Sequence, residues 1–394
     1  MTAPVQVGVN LLWMVPGEVG GSEEYTVRLL QALAAHGHPD VELTLFVNRR
    51  TPGAHPDLVA AHRTVVAPVS GGSRPLRVAS ESTWLAVESR RRHLDVLHHA
   101  GGTMPPVRTV PGMVTLHDLQ PLSHPERFGW LKRRYIAVAA PRSLRSARLV
   151  LTLTAFTGDD AVARCGIEPG RVRIVPAGVD DPGAGPTPER VAEVAARYGL
   201  SGRRVVLYPA ITYAHKNHDT LVRAMATVAA RHPDVVLVLT GAAGPAEQQV
   251  GATVQRLGLV ERVRRTGRVP AADLDVLYRL AAVTAFPSAY EGFGLPVLEA
   301  MVRGCPVVVA DAGALPSVVG GAAEVLDPFD APAWSDALLA VLERPDHAAE
   351  LAAAGRRRAA AFPWSAAAAA LDAAYLDAAG RSGSTAAPPI PEPR

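Results

Sequence analysis

The stretch of this chain that carries most information reads Pro287-Ser-Ala-Tyr-Glu-Gly-Phe-Gly-Leu-Pro-Val-Leu-Glu-Ala-Met301. An apolar run ends at Phe286, a turn with two glycines follows, and Pro296 can occupy the first position of the next helix. Glycine lets the backbone approach a ligand closely, and the amides at a helix N-terminus favour an anion such as a diphosphate. Doubly wound sheets bind ligands beyond the carboxyl ends of their strands. The stretch therefore predicts an anion site at a strand-to-helix turn.

Two glutamates belong to the same stretch. Glu291 lies in the turn and Glu299 lies one turn into the helix, so both carboxylates can face the space above the strand ends. A glycine-containing turn or a pair of glutamates would mean little alone, because both are common on protein surfaces. Two carboxylates in apolar surroundings favour a ligand-binding role. The apolar neighbours are Phe293, Leu295, Val297 and Leu298.

The rest of the chain alternates short β-branched runs with longer helical stretches, which indicates parallel, doubly wound α/β sheets. Apolar residues at helical spacing predict a helix over Glu23–Ala35, and an alanine-rich helix over Trp364–Ala379. The predicted strands are Val5–Val9, Val41–Val47, Val96–His99, Met113–His117, Val150–Thr154, Arg204–Pro209, Val235–Thr240, Val283–Pro287, Pro306–Asp311 and Ala323–Leu326.

A cluster of proline and glycine over Asp181–Pro188 interrupts this alternation and is typical of a linker. Because strand–helix units occur on both sides of it, we expect two Rossmann-like domains, over residues 1–185 and 186–363. Residues 364–380 are expected to form a helix that packs back toward the N-terminal domain. The proline-containing residues 381–394 are expected to be a disordered tail.

Composition narrows the class of protein. The 394 residues are 48% hydrophobic and 20% charged with a net charge of +3, so nucleic acid is not the expected partner. No apolar run reaches the ~18 residues of a membrane span, and the N-terminus enters a strand pattern without the features of a signal peptide. Cys165 and Cys305 match no metal spacing and are most simply core residues in a reducing compartment. We therefore expect a cytoplasmic protein.

The stretch quoted first resembles the Glu-x7-Glu signature of glycosyltransferase family 4, a group of retaining enzymes with the GT-B fold. The resemblance extends along nearly the whole chain. It implies two Rossmann-like, doubly wound, parallel-sheet domains that face one another across a cleft. The other segments that carry it are Gly20-Gly21, His117-Asp118-Leu119, His124-Pro125-Glu126, Thr154-Ala-Phe-Thr157, Val175-Pro-Ala-Gly-Val-Asp180, His215-Lys-Asn-His218, Gly267-Arg-Val-Pro270 and Gly304-Cys-Pro-Val-Val308.

The resemblance also implies roles for single residues. The implied catalytic residues are His117 beside the transferred sugar, Glu291 on the donor sugar and Lys216 on the diphosphate. Glu299 would contact the ribose of the nucleotide. The implied donor-binding residues are Gly20, Gly21, Thr212, His215, Lys216, Gly267, Arg268, Val269, Glu291, Gly292, Phe293, Gly294, Leu295 and Glu299. The implied acceptor-binding residues are Gly21, His117, Asp118 and His124.

The phosphate-binding segment departs from the family pattern. Lys216 is one of two lysines among 40 basic residues, and a compact ammonium binds phosphate as a point charge. The family usually has an arginine shortly before this lysine, and this chain has none. The candidates to replace it are Thr212, His215 and Arg268. From spacing alone, His117 could equally be a satisfied histidine at the end of a strand.

Two further features have competing interpretations. Asp273 and Asp275 could hold a metal, but an aspartate here is a natural helix cap and the GT-B fold needs no metal. We therefore expect neither a metal nor a cofactor. The basic stretch 132–148, with the aromatic residues Phe128 and Trp130, is either a solvated helix face or a surface for anionic lipid.

The resemblance to family 4, together with these features, implies a retaining, metal-independent glycosyltransferase. It would move a hexose-type sugar from a nucleoside-diphosphate sugar to a hydroxyl of a glycan, lipid-linked glycan or natural product. Its expected setting is the cytoplasm of a bacterium, with peripheral contact at the inner face of the membrane left open. A sugar-nucleotide epimerase of the same fold and a non-catalytic nucleotide-sugar-binding protein are the alternatives. A nicotinamide oxidoreductase and a P-loop enzyme are not expected, because their glycine motifs do not occur.

Overall fold

The computed structural model describes residues 3–17, 20–123 and 129–381. The chain divides into two compact units. The first runs to Gly178 and includes the chain again from Phe362, and the second covers Val179–Ala361. The division falls just before the Pro/Gly cluster Asp181–Pro188 at which the sequence predicts a linker. Within the described residues, no helix combines the length and the apolar character that crossing a bilayer requires.

The first unit is organised by a parallel sheet. Its strands are β1 Val5–Leu11, β2 Val41–Val47, β3 Arg63–Val66, β4 Val96–His99, β5 Gly112–Leu116, β6 Leu149–Thr152 and β7 Val172–Ile174, in the order β3-β2-β1-β4-β5-β6-β7. Its helices before the division are α1 Gly21–His36, α2 Thr51–Ala54, α3 Pro56–Ala61, α4 Arg74–Ser82, α5 Trp84–Arg91, α6 Gln120–Ser123, α7 Trp130–Ser146 and α8 Ala155–Cys165. Because β2 and β4 flank β1, the chain order reverses between β1 and β4, which is where such sheets bind ligands.

The second unit repeats this plan. Its strands are β8 Arg204–Pro209, β9 Val235–Thr240, β10 Val263–Gly267, β11 Ala281–Phe286, β12 Val307–Ala310 and β13 Glu324–Leu326, in the order β10-β9-β8-β11-β12-β13. Its helices are α9 Pro188–Arg197, α10 His218–Arg231, α11 Glu247–Arg256, α12 Ala271–Leu280, α13 Leu295–Val302, α14 Leu315–Val319, α15 Ala331–Glu343 and α16 Pro345–Ala359. All strand pairs are parallel, and the order reverses between β8 and β11.

The last helix, α17 Trp364–Ala378, belongs to the first unit. It packs against α1 and against β1 and β2. Tyr375 is fully buried, and its hydroxyl lies 2.9 Å from Nδ1 of His98 on β4. A side chain at Gly178 would collide with the backbone of Trp364, so the two segments are in close contact. This helix therefore completes the core of the first unit.

The strands predicted from β-branched runs all occur, with their ends shifted slightly. The sequence does not predict β3, β7 and β10, and each of these lies at the edge of its sheet. Edge strands are partly exposed and carry charged side chains, here Arg63, Arg173 and Arg265. They therefore lack the continuous apolar run that identifies a buried parallel strand.

Candidate functional site

The order reversal of the second sheet brings two distant loops together. The loop after β8 ends in a short 3-10 helix, Ala214–Lys216, and the loop after β11 contains Glu291. Since β8 and β11 are neighbours in the sheet, both loops leave from the same edge. The backbone amide of Ala289 donates to the carbonyl of His215 at 2.7 Å, which joins the loops directly. The two most informative segments of the sequence thus form one site.

Lys216 and Glu291 form an ion pair at the centre of this site. The Nζ atom of Lys216 lies 2.5 Å from Oε1 of Glu291, and the two side chains are only 19% and 12% exposed. The Lys216 ammonium also lies 5.7 Å from the centre of the Phe286 ring. The hydroxyl of Tyr208 donates to the Lys216 carbonyl at 2.7 Å. A largely buried cation is thus held in one place, with its charge partly balanced by the carboxylate.

A neighbouring loop braces the backbone of Glu291. The amide of Ala314 donates to the Glu291 carbonyl at 2.9 Å. Gly313 has a φ of +60°, and a Cβ atom there would collide with the main-chain oxygen and nitrogen of Glu291. The loop after β12 therefore depends on glycine at position 313 to support the loop after β11.

Helix α13 begins immediately beside the ion pair. Gly294 is its N-cap, with φ 92° and ψ 47°, a left-handed conformation that glycine adopts easily. Pro296 occupies the second helical position, one later than the sequence predicts, because Leu295 already has helical geometry. Glu299 lies in the middle of α13 and accepts a hydrogen bond of 3.0 Å from the hydroxyl of Tyr278 on α12. The structure thus places both predicted glutamates on one loop–helix element.

In the first unit, His117 follows β5 and sits in an aromatic pocket. Its ring centre lies 5.9 Å from that of Trp13 and 5.5 Å from that of Tyr25. Its Nε2 donates to the carbonyl of Ala100 at 2.9 Å, so Nδ1 is the acceptor nitrogen. Burial lowers the pKa of His117 to about 4, which keeps the imidazole neutral near pH 7. The His117 side chain therefore has a hydrogen-bond partner at the end of a strand, as expected if its role is structural. It is also partly accessible.

The two glycines at the start of α1 are predicted donor-binding residues. Gly20 is the N-cap of α1 with a φ of 78°, and a Cβ atom at Gly20 or Gly21 would meet none of the described atoms within 4 Å. Glu23 fixes the turn, since its carboxylate accepts from the amide of Gly17 at 3.0 Å and contacts His55 at 2.8 Å. Asp118 accepts from the backbone of Gln120 at 3.0 Å, which is the local role of a loop residue. The predicted acceptor residue His124 lies outside the described residues.

Comparison with known proteins identifies the family. Residues 193–358 match the model of the glycosyl transferases group 1, and residues 19–181 match that of glycosyltransferase family 4. The chain is 30% identical over 278 residues to the O-antigen chain mannosyltransferase B of Escherichia coli, which covers 70% of this chain and 72% of that relative. This chain belongs to glycosyltransferase family 4.

Other similarities agree. The family 4 chain is 30% identical over 403 residues to a D-inositol 3-phosphate glycosyltransferase of Xylanimonas cellulosilytica, covering 93% of each. Its fold is similar to that of sucrose-phosphate synthase from Thermosynechococcus elongatus (TM-score 0.76, 23% identity, 95% of this chain and 98% of that one). It is also similar to Anabaena HepE in complex with UDP-glucose (TM-score 0.74, 20% identity, 94% and 99%). The predicted GT-B fold and glycosyltransferase activity are thus confirmed.

The structure shows what the candidates for the missing arginine of this glycosyltransferase do. Thr212 is fully buried; its hydroxyl donates to Glu247 at 2.6 Å and accepts from the amide of Gly244 at 2.7 Å. The ring of His215 stacks on Tyr213, with centres 5.7 Å apart and 12° between planes. Thr212 therefore connects the loops after β8 and β9, and its uncharged hydroxyl does not replace the positive charge of the missing arginine. Arg268 and Val269 follow the end of β10 at Gly267, whose φ is +66°.

Sequence reasoning missed Glu247 and Arg265. The guanidinium of Arg265 on β10 donates from Nε to Glu247 Oε1 at 2.9 Å and contacts Oε2 at 2.5 Å. Glu247 thereby joins Thr212 to Arg265 beside the loop after β9. No local signal marks Glu247 or Arg265, because they lie on separate elements and match none of the family segments.

The aspartates considered for a metal are both bound by arginines. Asp273 is fully buried, interacts with Arg190 and Arg197, and accepts from the hydroxyl of Tyr198 at 2.7 Å. The Tyr198 hydrogen bond and the neighbouring arginines lower the pKa of Asp273. The prediction that it caps a helix is wrong: Pro270 is the N-cap of α12, and Asp273 lies in the first turn. In the part of the chain that is described, no cluster of three or more His, Cys, Asp or Glu side chains could hold a metal.

The first unit also has cavities on its surface. One of about 310 Å³ lies between α4, the loop after β4 and α7. Glu81 at its wall is 7% exposed, accepts from Asn10 at 3.1 Å, and has a pKa raised by burial. Arg108 and Arg142 also line this cavity. A buried carboxylate and two guanidinium groups give it polar contacts inside a largely apolar wall.

Proposed function

We propose that this glycosyltransferase moves a hexose from a nucleoside-diphosphate sugar to a hydroxyl of a glycan, lipid-linked glycan or natural product, with retention of configuration and without a metal. The observation that carries the proposal is the Lys216–Glu291 pair at the order reversal of the second sheet, directly before α13. This is the place where doubly wound sheets bind nucleotides.

The diphosphate, the hexose and the ribose of the donor each have a proposed partner in the second unit. Lys216 provides a positive charge for the diphosphate, and the backbone of Gly292–Leu295 leads into the N-terminus of α13, which favours the same anion. Glu291 is placed for the hexose hydroxyls, and Glu299 for the ribose. The HepE structures contain UDP and UDP-glucose, which supports a donor of this class.

Retention is proposed from the resemblance to family 4. Within a retaining reaction, the pairing of the Glu291 carboxylate with Lys216 at 2.5 Å makes it a weak nucleophile and argues against a double displacement through a covalent intermediate. In our mechanism the bond between C1 and the leaving phosphate oxygen breaks, and the acceptor oxygen bonds to C1 from the same face. The acceptor proton passes to the departing phosphate. Lys216 stabilises the negative charge that grows on that phosphate.

Metal independence rests on the charges available in the second unit. Asp273 and Asp275, which the sequence offered as metal ligands, are already engaged by arginine side chains. Lys216 and the α13 N-terminus supply the positive field that a divalent cation would otherwise supply.

The acceptor is proposed to contact the first unit around Gly21, His117 and Asp118. The neutral His117 can accept from a sugar or acceptor hydroxyl through Nδ1, since Nε2 is held by Ala100. The cavity with Glu81 and Arg142 offers further room for a polyhydroxyl or phosphorylated acceptor. The relatives include a D-inositol 3-phosphate glycosyltransferase and an O-antigen mannosyltransferase, which support polyol and glycan acceptors.

Product analysis tests this function. The protein is incubated with UDP-glucose, UDP-N-acetylglucosamine or GDP-mannose, with and without candidate acceptors and with excess EDTA. We expect an acceptor-dependent glycoside whose anomeric coupling in NMR equals that of the donor, at an unchanged rate in EDTA. Inverted product would contradict retention, and loss of turnover in EDTA restored by Mn²⁺ would contradict metal independence. Acceptor-independent conversion of the donor sugar into its epimer would favour the epimerase alternative.

We also propose peripheral contact with anionic lipid through α7. On this helix Trp130 and Val138 are 70% and 69% exposed, and the exposed Arg134 and Arg142 accompany them. Apolar and basic side chains on one exposed helix suit a membrane surface. The basic stretch considered in the sequence analysis also includes Lys132 and Arg133 and is accompanied by Phe128, but the side chains of these three residues are not among those that the structure describes.

Vesicle sedimentation checks this contact. Changing Arg134 and Arg142 to glutamine should reduce binding to phosphatidylglycerol vesicles, because each basic residue near the surface is worth about 1 kcal/mol. Binding to phosphatidylcholine vesicles should stay the same. The matched control removes the same charge from the second unit, with Arg203→Gln and Arg262→Gln. Equal sedimentation of wild type with both vesicle types at low salt would rule out the proposed contact.

A further inference from the structure

Tyr278 is a buried residue whose hydroxyl reaches the candidate nucleotide site. It lies on α12 and is 1% exposed, and its hydroxyl donates to Oε2 of Glu299 at 3.0 Å. Burial, with the nearby Glu299 charge, raises the pKa of Tyr278 well above its usual range, so the hydroxyl keeps its proton. A protonated hydroxyl in a packed environment is a fixed hydrogen-bond donor toward the carboxylate.

A second side chain, that of Arg303, contacts both Tyr278 and Glu299. The guanidinium of Arg303 lies 5.3 Å from the centre of the Tyr278 ring, and its Nη1 donates to the Glu299 carbonyl at 2.8 Å. Its Nε donates to Asp275 at 2.6 Å, and Arg279 donates to the other oxygen of Asp275 at 3.1 Å. Asp275 therefore fixes Arg303, which contacts both the Tyr278 ring and the Glu299 backbone.

We propose that Tyr278 is a positioning residue that holds the Glu299 carboxylate in the orientation that accepts the ribose hydroxyls of the nucleotide. Tyr278 would thereby set the preference for ribonucleotides over deoxyribonucleotides. This inference rests on the proposed function, because it takes Glu299 as the ribose contact. A glutamate on a helix has several rotamers, and a buried hydrogen bond to one oxygen selects among them before the ligand arrives. Binding then costs less side-chain entropy.

The test compares ribonucleotides with their 2′,3′-dideoxy forms. Dissociation constants of UDP and GDP, and of dideoxy-UDP and dideoxy-GDP, are measured by calorimetry for wild type, Tyr278→Phe, Glu299→Ala and the double variant. The ribo-to-dideoxy preference is the dissociation constant of the dideoxy form divided by that of the ribonucleotide. It is taken for whichever of the two bases, uracil or guanine, wild type binds more tightly. We expect Tyr278→Phe to reduce the ribo-to-dideoxy preference about three- to tenfold, the range of one hydrogen bond. In the Glu299→Ala background, Tyr278→Phe should change the ratio no further.

The matched control is Tyr198→Phe, which removes another tyrosine hydroxyl that donates to a carboxylate of α12, that of Asp273. It should affect thermal stability much as Tyr278→Phe does and leave the nucleotide ratio unchanged. If Tyr278→Phe does not fold, Arg303→Gln provides the second variant, since it removes the contact with the Tyr278 ring and the Glu299 carbonyl. It should lower the same ratio.

The outcomes separate the two proposals. Unchanged UDP and GDP binding in folded Glu299→Ala would remove Glu299 from the nucleotide site and overturn the donor assignment. A lost preference in Glu299→Ala together with a wild-type ratio in Tyr278→Phe would overturn the positioning role alone. A parallel loss of ribo- and dideoxy-nucleotide affinity in Tyr278→Phe would also overturn it, because that pattern indicates a general structural effect.

Discussion

Single residues of the site differ in how well the sequence reveals them. Glu291 and Glu299 are evident because a glycine turn between a strand and a helix is a local pattern. Lys216 is evident because it is one of only two lysines among 40 basic residues. Tyr278 and Glu247 gave no signal, since each acts through a contact with a residue distant in sequence. Local patterns thus predict residues at strand ends, and only the packed structure reveals those that support them.

At the residue scale, Lys216→Gln should weaken diphosphate binding selectively. Lys216 is placed for the phosphates, so the affinity for UDP or GDP should fall by about 1.5–3 kcal/mol, the worth of a hydrogen bond to a charged group. Affinity for UMP or GMP should fall much less, if the ammonium contacts mainly the second phosphate. Isothermal titration with each pair of nucleotides measures the difference.

Losing Lys216 also leaves Glu291 without its partner, and an unpaired carboxylate would itself repel the diphosphate. The double variant Lys216→Gln with Glu291→Gln separates this repulsion from the lost attraction. A loss that persists in the double variant belongs to Lys216. Equal losses for mono- and diphosphate in a folded Lys216→Gln protein would place the ammonium away from the phosphates.

At the scale of elements, the interior strands and the edge strand β13 were predictable, whereas the edge strands β3, β7 and β10 were not. Interior strands are apolar on both faces, while β3, β7 and β10 carry arginines. The same holds for loops. The loop after β11 is recognisable by its glycines, whereas the support it receives from Gly313 after β12 is a contact between backbones. A contact between backbones leaves no recognisable pattern of side chains in the sequence.

Gly313→Ala should therefore damage the site more than it damages the fold. Alanine at a φ of +60° costs about 1–2 kcal/mol anywhere, but here its Cβ would also displace the backbone of Glu291. We expect a large loss of turnover, since small misplacements of reacting groups cost much catalysis. The measurements are kcat with the accepted donor and the midpoint of thermal unfolding.

Gly321→Ala is the matched control for this change. Gly321 has a φ of +78°, and a Cβ atom there would meet no atom of the described residues within 4 Å, so only the backbone cost remains. It should lower thermal stability by a similar amount and leave kcat near wild type. If both variants keep wild-type turnover, the loop after β12 does not position Glu291.

At the scale of the whole molecule, the two units share an architecture but differ in their buried titratable groups. The sequence predicts the architecture, because alternating strands and helices admit few topologies. It does not predict burial of single histidines. The first unit contains His98, His99 and His117, with pKa values lowered by burial to about 3, 3 and 4. The second contains His218, lowered to about 3.

This difference predicts that acid destabilises the first unit more than the second. A histidine with a lowered folded pKa binds protons only when unfolded as the pH falls below 6.5, so stability present above that pH is progressively lost toward pH 4. At pH 5 the loss is about 2 kcal/mol per histidine. Asp372 in the first unit opposes it, because burial raises its pKa to about 6 and favours the folded state as the pH falls. The raised pKa of Glu81 acts in the same direction as that of Asp372, and the lowered pKa of His62 adds to the effect of the three histidines. The buried histidines outnumber the two carboxylates, so acid still destabilises the first unit.

Hydrogen exchange and calorimetry between pH 7.5 and 5 should show this ordering. Peptides from β4 and β5 should lose protection on acidification before peptides from β8 and β9, and the thermal transition assigned to the first unit should shift further. His98→Gln removes one titrating ring and can keep a hydrogen bond to Tyr375. It should therefore reduce the pH dependence of the thermal transition of the first unit and leave that of the second unit unchanged. Asp372→Asn should increase it, because the opposing carboxylate is gone and an amide oxygen can still accept from His38. If the two units lose protection in parallel, the buried histidines do not control acid stability.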